Sequence, residues 1–151
     1  MASQKIKPFL WYDTQAEDAA RFYCSVIKDS QVTSVVPGPT GAPMVVGFTL
    51  AGVDYIALNG GKHYQLTPAF SLSVECDTQA EIDDLWEKLS AGGSKVQCGW
   101  LVDKFGLSWQ VVPSILPKLM SDPKRGGAVM QALMQMGKLD IATLQAAHDA
   151  A

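Results

Sequence analysis

Two hydrophobic rhythms alternate along the chain. Ala19, Phe22, Tyr23 and Val26 recur at i, i+3, i+4 and i+7, and Ile82, Leu85, Trp86 and Leu89 do the same. That spacing lines up one face of a helix. Between and after these helices the pattern shortens to strands bounded by turn residues. Residues 31–36 are β-rich, Pro37-Gly38-Pro39-Thr40-Gly41 is a turn cluster, and 44–50 and 53–58 are strands joined at Ala51-Gly52. After the second helix, Gly92-Gly93 breaks the chain, and 95–97 and 99–102 read as short strands. Asp103-Lys104-Phe105-Gly106 is a hairpin turn, 107–112 the closing strand, and Pro113 its stop. Residues 115–120 read as a short turn; helices are expected over 126–136 and 140–148, with Asp140 as N-cap of the last. Met130, Leu133, Met134 and Met136 form a Met-rich face, expected to pack on its own domain or across a dimer.

The chain repeats itself. Asp13-Thr14-Gln15-Ala16-Glu17 recurs as Asp77-Thr78-Gln79-Ala80-Glu81, an offset of 64 residues (77 − 13). Thr-x-x-Glu is a capping box, so each copy is expected to open a helix. The same offset pairs Leu10 with Val74 and Ile6 with Phe70 in the strands ahead of the helices. It also equates Phe22 with Trp86, yet displaces the two helical stripes by one residue. Each half then runs strand, helix, strand, strand, strand.

Composition narrows the function classes. The 151 residues are 48% hydrophobic and 18% charged, with a mean hydropathy of +0.08, the profile of a packed globule rather than a disordered chain. Twelve Lys+Arg against fifteen Asp+Glu leave a net charge of −3, and no basic face for nucleic acid is evident. No apolar run is long enough to span a membrane, and the N-terminal residues do not form a signal-peptide core. Cys24, Cys76 and Cys98 are odd in number and lack a C-x-x-C, which fits a reducing cytoplasm. With only His63 and His148, a His-rich metal site is excluded.

Several stretches resemble one known family. Pro8-Phe9-Leu10-Trp11-Tyr12-Asp13 is similar to its opening strand and Ala57-Leu58-Asn59-Gly60-Gly61 to its mid-chain signature. Cys98-Gly99-Trp100, Asp103-Lys104-Phe105-Gly106 and Ser108-Trp109-Gln110 form the most specific stretch. Gln135-Met136 and Lys138-Leu139-Asp140-Ile141 resemble its C-terminal helix pair. Together they resemble the PhnB-like proteins, labelled 3-demethylubiquinone-9 3-methyltransferase-like, of the vicinal oxygen chelate superfamily (glyoxalase I, extradiol dioxygenases, bleomycin-resistance proteins). The resemblance implies an α+β fold: one vicinal oxygen chelate domain of two βαβββ units, about 1–66 and 67–113, with a helical tail over about 114–151. It also implies a homodimer. Methyl transfer is not expected, because Gly60-Gly61 and Gly92-Gly93 follow a strand end and a helix end rather than opening a nucleotide-binding turn.

In the superfamily the concave face of each sheet forms a cleft, and strand alternation assigns residues to it. Lys7, Phe9 and Trp11, Ser71, Ser73 and Glu75, and Ser108 and Gln110 fall on the cleft-facing alternates, and Tyr55, Ala57 and Asn59 share one face. Metal-dependent members carry four ligands; the matching positions here fall near Lys5 or Lys7, at or near Ala57, near Ala69 or Ser71, and at Gln110. Lys has no acceptor, Ala no ligand atom, and one amide oxygen does not hold a transition metal. No cofactor is therefore expected. The ligand-binding candidates are Lys7, Phe9, Trp11, Tyr55, Asn59, Ser73, Glu75, Cys98, Trp100 and Gln110. The aromatics also read as core, and each Trp taken singly reads more readily so. Glu75 is either paired inward, with Lys7 as a partner, or solvent-exposed, and Cys98, with no histidine beside it, reads as an inert thiol more readily than a nucleophile.

Two functional readings follow, beside a third in which the chain is a purely structural partner acting through its Met-rich tail. One is a metal-independent protein binding an unidentified small molecule. The other is a metal-assisted or general acid–base enzyme of the same superfamily, with Glu75 as the acid–base group.

Overall fold

The computed structural model describes residues 3–151. They form two compact units, one ending at Leu66 and one running from Thr67 to Ala151. The first contains β1 (Phe9–Tyr12), α1 (Ala16–Val26), β2 (Gln31–Pro37), β3 (Pro43–Leu50) and β4 (Val53–Asn59). Its sheet order is β1-β4-β3-β2, with β1 parallel to β4 and the other pairs antiparallel. The second contains β5 (Ser71–Cys76), α2 (Gln79–Ser90), β6 (Ser94–Lys95), β7 (Trp100–Val102) and β8 (Ser108–Pro113). Its order, β5-β8-β7-β6, copies the first, again with only the outer pair β5–β8 parallel. Both units thus follow the expected βαβββ plan in an α+β fold.

The one-residue displacement of the helical stripes has a local cause. α2 begins at Gln79 behind Thr78, whose hydroxyl accepts from Glu81 N at 3.2 Å, while Glu81 Oε2 accepts from Asp77 N at 3.2 Å. α1 begins one position later in the repeat, at Ala16, and has no side-chain cap from its own N-cap residue. The capping box expected from Thr14 and Glu17 does not form. Asn59 Oδ1, at the end of β4, accepts from Ala16 N at 2.7 Å instead, and Glu17 pairs with Arg21. A cap borrowed from a strand satisfies the same orphan donor.

In the first unit α1 buries Ala16, Ala19, Ala20 and Tyr23 against Leu10, Tyr12, Val46, Phe48, Leu50 and Ala57 of the sheet. The three alanines let the helix lie close to the strands. Inside this core the Tyr12 and Tyr23 hydroxyls meet at 2.9 Å. The second unit buries Ile82, Leu85, Trp86 and Leu89 of α2 with Cys76, Leu101, Trp109 and Val111. Its β7–β8 turn closes on a buried carboxylate. Asp103 Oδ1 accepts from Phe105 N (2.8 Å) and Leu107 N (3.1 Å), and Oδ2 accepts from Trp109 Nε1 (2.9 Å). The family-like run from Asp103 to Trp109 is therefore a turn-closing device.

The tail belongs to the second unit. α3 (Leu116–Met120), α4 (Gly126–Met134) and α5 (Ile141–Ala150) share a core of Leu116, Leu119, Val129, Leu139 and Leu144, joined by Val112, Leu133 and Met136. Residues 116–120 are a short helix where a turn was expected. Asp140 caps α5 as expected, accepting from Thr143 N at 2.8 Å. The Gln79 amide clamps the connection, accepting from Ile141 N (2.8 Å) and donating to Leu139 O (3.0 Å). The Met-rich face divides: Met136 packs inward, while Met130 and Met134 are exposed. Among the described residues no helix is long and apolar enough to cross a membrane.

Candidate functional site

Each sheet has one face covered by its own α1 or α2 and a second face free of that helix, which in the second unit meets the C-terminal helices at Val112, and register decides which side chains meet there. In the second unit Gln110 sits between Ser73 on β5 and Trp100 on β7, and Ser108 between Ser71 and Val102. These residues, with Glu75 two positions beyond Ser73, share the face free of α2. Gln110 Nε2 donates to Ser71 Oγ at 3.1 Å. Ser108 is 1% exposed and its Oγ has no hydrogen-bond partner among the described residues. A buried orphan hydroxyl beside an amide and two serines is polar capacity waiting for a polar atom. Glu75 lies opposite Val112 and is exposed.

In the first unit Phe9 pairs with Ile56 and Trp11 with Leu58, so these four define the helix-free face. Phe9 is exposed. Trp11 is anchored: its indole N–H donates to Gly61 O at 2.9 Å, and Tyr64 meets its ring edge-on at 5.0 Å. A Cβ on Gly60 would overlap the Trp11 ring, so glycine there is a condition of the anchor.

Tyr55 and Asn59 take the other face. Parallel register places Ala57 beside Leu10 and Asn59 beside Tyr12, all on the side under α1. The shared face expected for Tyr55, Ala57 and Asn59 exists, but it is the helix face and not that of Phe9 and Trp11. Tyr55 stacks on Phe48 at 5.4 Å, and burial pushes its phenol above the ordinary range. Asn59 serves α1 and also donates to Pro43 O at 2.9 Å. Cys98 is a backbone junction: it has φ 61°, its N–H donates to Met136 O at 2.8 Å, and Gly99 N donates to Gly137 O at 2.8 Å. This dipeptide seats the tail. Burial, with the Glu81 and Asp77 charges adding to it, pushes the Cys76 thiol up to about 12, so it is an inert thiol.

One cavity opens on the first unit, of about 350 Å³, bordered by Lys7, Thr33, Ser34, Gly47, Asp54 and Ile56. Tyr55 also touches it. The β2–β3 ladder slips between Val32 and Ser34. Such a bulge sets two residues against one and re-aims their side chains. Here both hydroxyls come over Gly47: a Cβ added there would lie 2.7 Å from Ser34 Oγ and 3.0 Å from Thr33 Oγ1. Asp54 is held by Gln4, whose amide accepts from Asp54 N (2.9 Å) and donates to Asp54 O (3.0 Å). Of this set sequence reasoning singled out only Lys7 and Tyr55. A glycine in mid-strand was the available signal, since it marks close approach or a bulge.

Comparison with known proteins follows the same lines. Residues 4–112 match the family model described as 3-demethylubiquinone-9 3-methyltransferase. The chain belongs to that family. A PhnB protein from Bacillus cereus is 32% identical, over 74% of this chain and 100% of that one, with a TM-score of 0.69. Protein PA1353 from Pseudomonas aeruginosa is 19% identical over 74% of this chain and 98% of its own, with a TM-score of 0.62. The fosfomycin resistance protein FosX from Listeria monocytogenes, solved with Mn(II) and sulfate, is 16% identical over 74% and 92%, with a TM-score of 0.54. These likenesses establish a PhnB-like chain with the vicinal oxygen chelate fold. No curated protein matches the chain.

A divalent metal of the kind FosX holds does not fit the residues present. Among the described residues no three His, Cys, Asp or Glu side chains gather. Ala57, at one of the matched ligand positions, is fully buried under α1. Gln110, at another, could offer only its amide oxygen, its Nε2 donating to Ser71 Oγ, and one amide oxygen does not hold a transition metal.

Proposed function

We propose that this chain is a metal-independent small-molecule-binding protein of the glyoxalase and bleomycin-resistance superfamily. The observation that carries this is the first-unit cavity, where Thr33 and Ser34 hydroxyls, Lys7 and Asp54 surround an apolar floor of Val45 and Ile56. Its size lies at the small end of ligand pockets, and polar groups around an apolar base suit a small organic molecule. The face of the second sheet free of α2, with Ser73, Glu75, Trp100, Gln110 and the orphan Ser108 hydroxyl, supports the same reading. Methyl transfer is not proposed: the β1–α1 and β5–α2 turns carry Asp13 and Asp77 and no glycine, so neither presents a nucleotide-binding loop. The reading includes a cytoplasmic homodimer, the commonest closed assembly.

Thermal unfolding tests it. Screening small organic ligands beside Mn²⁺, Zn²⁺ and Ni²⁺ is expected to raise the midpoint with an organic compound and not with metal, the stabilisation growing with the logarithm of 1 + [ligand]/Kd. A midpoint raised by stoichiometric metal alone would contradict the reading.

A further inference from the structure

The same cavity carries information about the charge of what it binds. Lys7 and Asp54 both line it, and they make no ion pair within 4 Å in the structure. The Pro8 carbonyl accepts from Ile56 N at 3.0 Å, continuing the parallel approach of β1 to β4 and bringing Lys7 to the Asp54 end of β4. One cation and one anion thus border one hollow. Thr33 and Ser34 are exposed, and among the described residues neither side chain has a hydrogen bond to the protein, so both hydroxyls can donate or accept. Gly47 keeps the space beneath them open, and Val45 and Ile56 supply the apolar floor.

A purely anionic ligand would meet Lys7 but face the Asp54 carboxylate. A purely cationic one would meet the reverse. A neutral apolar ligand would use neither charge: exposed Lys7 would stay in water, and the half-buried Asp54 carboxylate would lose part of its hydration without a partner. The arrangement that satisfies all four polar groups is a molecule with its own carboxylate and ammonium close together and a short apolar body. We infer that the cavity takes a small zwitterion of the α-amino-acid class, its carboxylate on Lys7 and the hydroxyls, its ammonium on Asp54. This rests on the binding reading above.

The test uses three probes of one carbon skeleton with the full-length protein: L-leucine, 4-methylpentanoate, which lacks the ammonium, and isoamylamine, which lacks the carboxylate. Each is titrated while the backbone amide signals of Thr33, Ser34, Gly47 and Ile56 are followed by NMR. Leucine is expected to shift these signals with a Kd about tenfold below either analogue, the value of one charge-assisted hydrogen bond. Lys7→Gln is expected to erase its advantage over isoamylamine, and Asp54→Asn its advantage over 4-methylpentanoate. Equal affinity of all three probes at these amides would overturn the zwitterion inference and leave the cavity as a binding site. Silence of these amides toward all three would overturn the inference and count against the cavity itself.

Discussion

The Asp103 carboxylate is the point at which the second unit's final hairpin is most exposed to perturbation. It is 2% exposed and accepts three hydrogen bonds, from Phe105 N, Leu107 N and the indole of Trp109, itself 2% exposed. Asp103→Asn keeps an oxygen where Oδ1 accepts two backbone N–H groups, but turns an NH₂ toward the indole N–H, so a donor faces a donor. Losing one charge-assisted bond in a buried setting costs about 1.5–3 kcal/mol. Asp103→Ala withdraws the acceptor from all three donors, two of them in buried residues. At about 1–3 kcal/mol for each buried group, and less than additive among neighbours, the loss is about 3–5 kcal/mol. Urea unfolding followed by circular dichroism reads both. The urea midpoints should fall in the order wild type, Asn, Ala, and Asp103→Asn combined with Trp109→Phe should show a coupling of about 1 kcal/mol or more. An Asn variant within ~0.5 kcal/mol of wild type would refute the claim that this carboxylate closes the hairpin.

Other expectations are shorter to state. Thr78→Ala should cost about 1 kcal/mol and Asn59→Ala a similar amount, whereas Thr14→Ala should cost under ~0.5 kcal/mol, because only the first two accept from a helix N-terminus; equal losses for Thr14 and Thr78 in urea unfolding would show both capping boxes to be formed. Gly47→Val should abolish ligand-induced thermal stabilisation, since it fills the cavity, and should itself lower the unliganded midpoint, because its Cβ would lie 2.7 Å from Ser34 Oγ; undiminished stabilisation would place the ligand elsewhere. Cys76, with its thiol pushed up to about 12, should resist iodoacetamide at pH 8 in the folded protein and react on unfolding, as peptide mass mapping would show. Hydrogen bonds hold three tail carboxyls below the ordinary range: Asp122 chiefly through Lys124 N, Asp140 through Thr143 N, and Asp149 through Gln145. A depressed folded-state value gives stability that is full above the unfolded value of about 3.9 and is lost as pH falls through the folded one. The protection of residues 116–151, taken relative to intrinsic exchange at the same pH, should therefore fall below about pH 4; protection unchanged down to pH 2 would contradict it.

What the sequence reveals of this molecule is what local pattern encodes. The α2 stripe, the strand boundaries near Met44 and Val53 and the Asp140 cap are carried by neighbouring residues and reappear in the structure, as does the 64-residue repeat. By contrast, α1 buries Ala16, Ala19, Ala20 and Tyr23 and leaves Phe22 and Val26 half-buried. The choice of face on β4 is not local. Tyr55, Ala57 and Asn59 alternate with Asp54, Ile56 and Leu58, and apolarity favours the second set as core. The parallel register with β1 decides otherwise, since Ala57 must sit beside Leu10, under a helix whose contact face is itself alanine. The cap of α1 comes from Asn59, 43 residues away in sequence, so Thr14 looked equivalent to Thr78 when only the pentapeptide was in view. The cavity was hidden for a similar reason. A one-residue slip between β2 and β3 brings Thr33 and Ser34 over Gly47, and nothing in the alternation of β2 announces it. On β8, where the register with β5 agrees with simple alternation, Gln110, Ser73 and Glu75 do share the face that pattern assigned them.

Native mass spectrometry of the protein as purified, without added metal, tests the central claim most directly. The account predicts a dimer free of stoichiometric metal that retains, or on incubation takes up, a small organic molecule, whose mass begins to identify the ligand. A species carrying one divalent metal per subunit would contradict it and bring the metal-assisted enzyme forward.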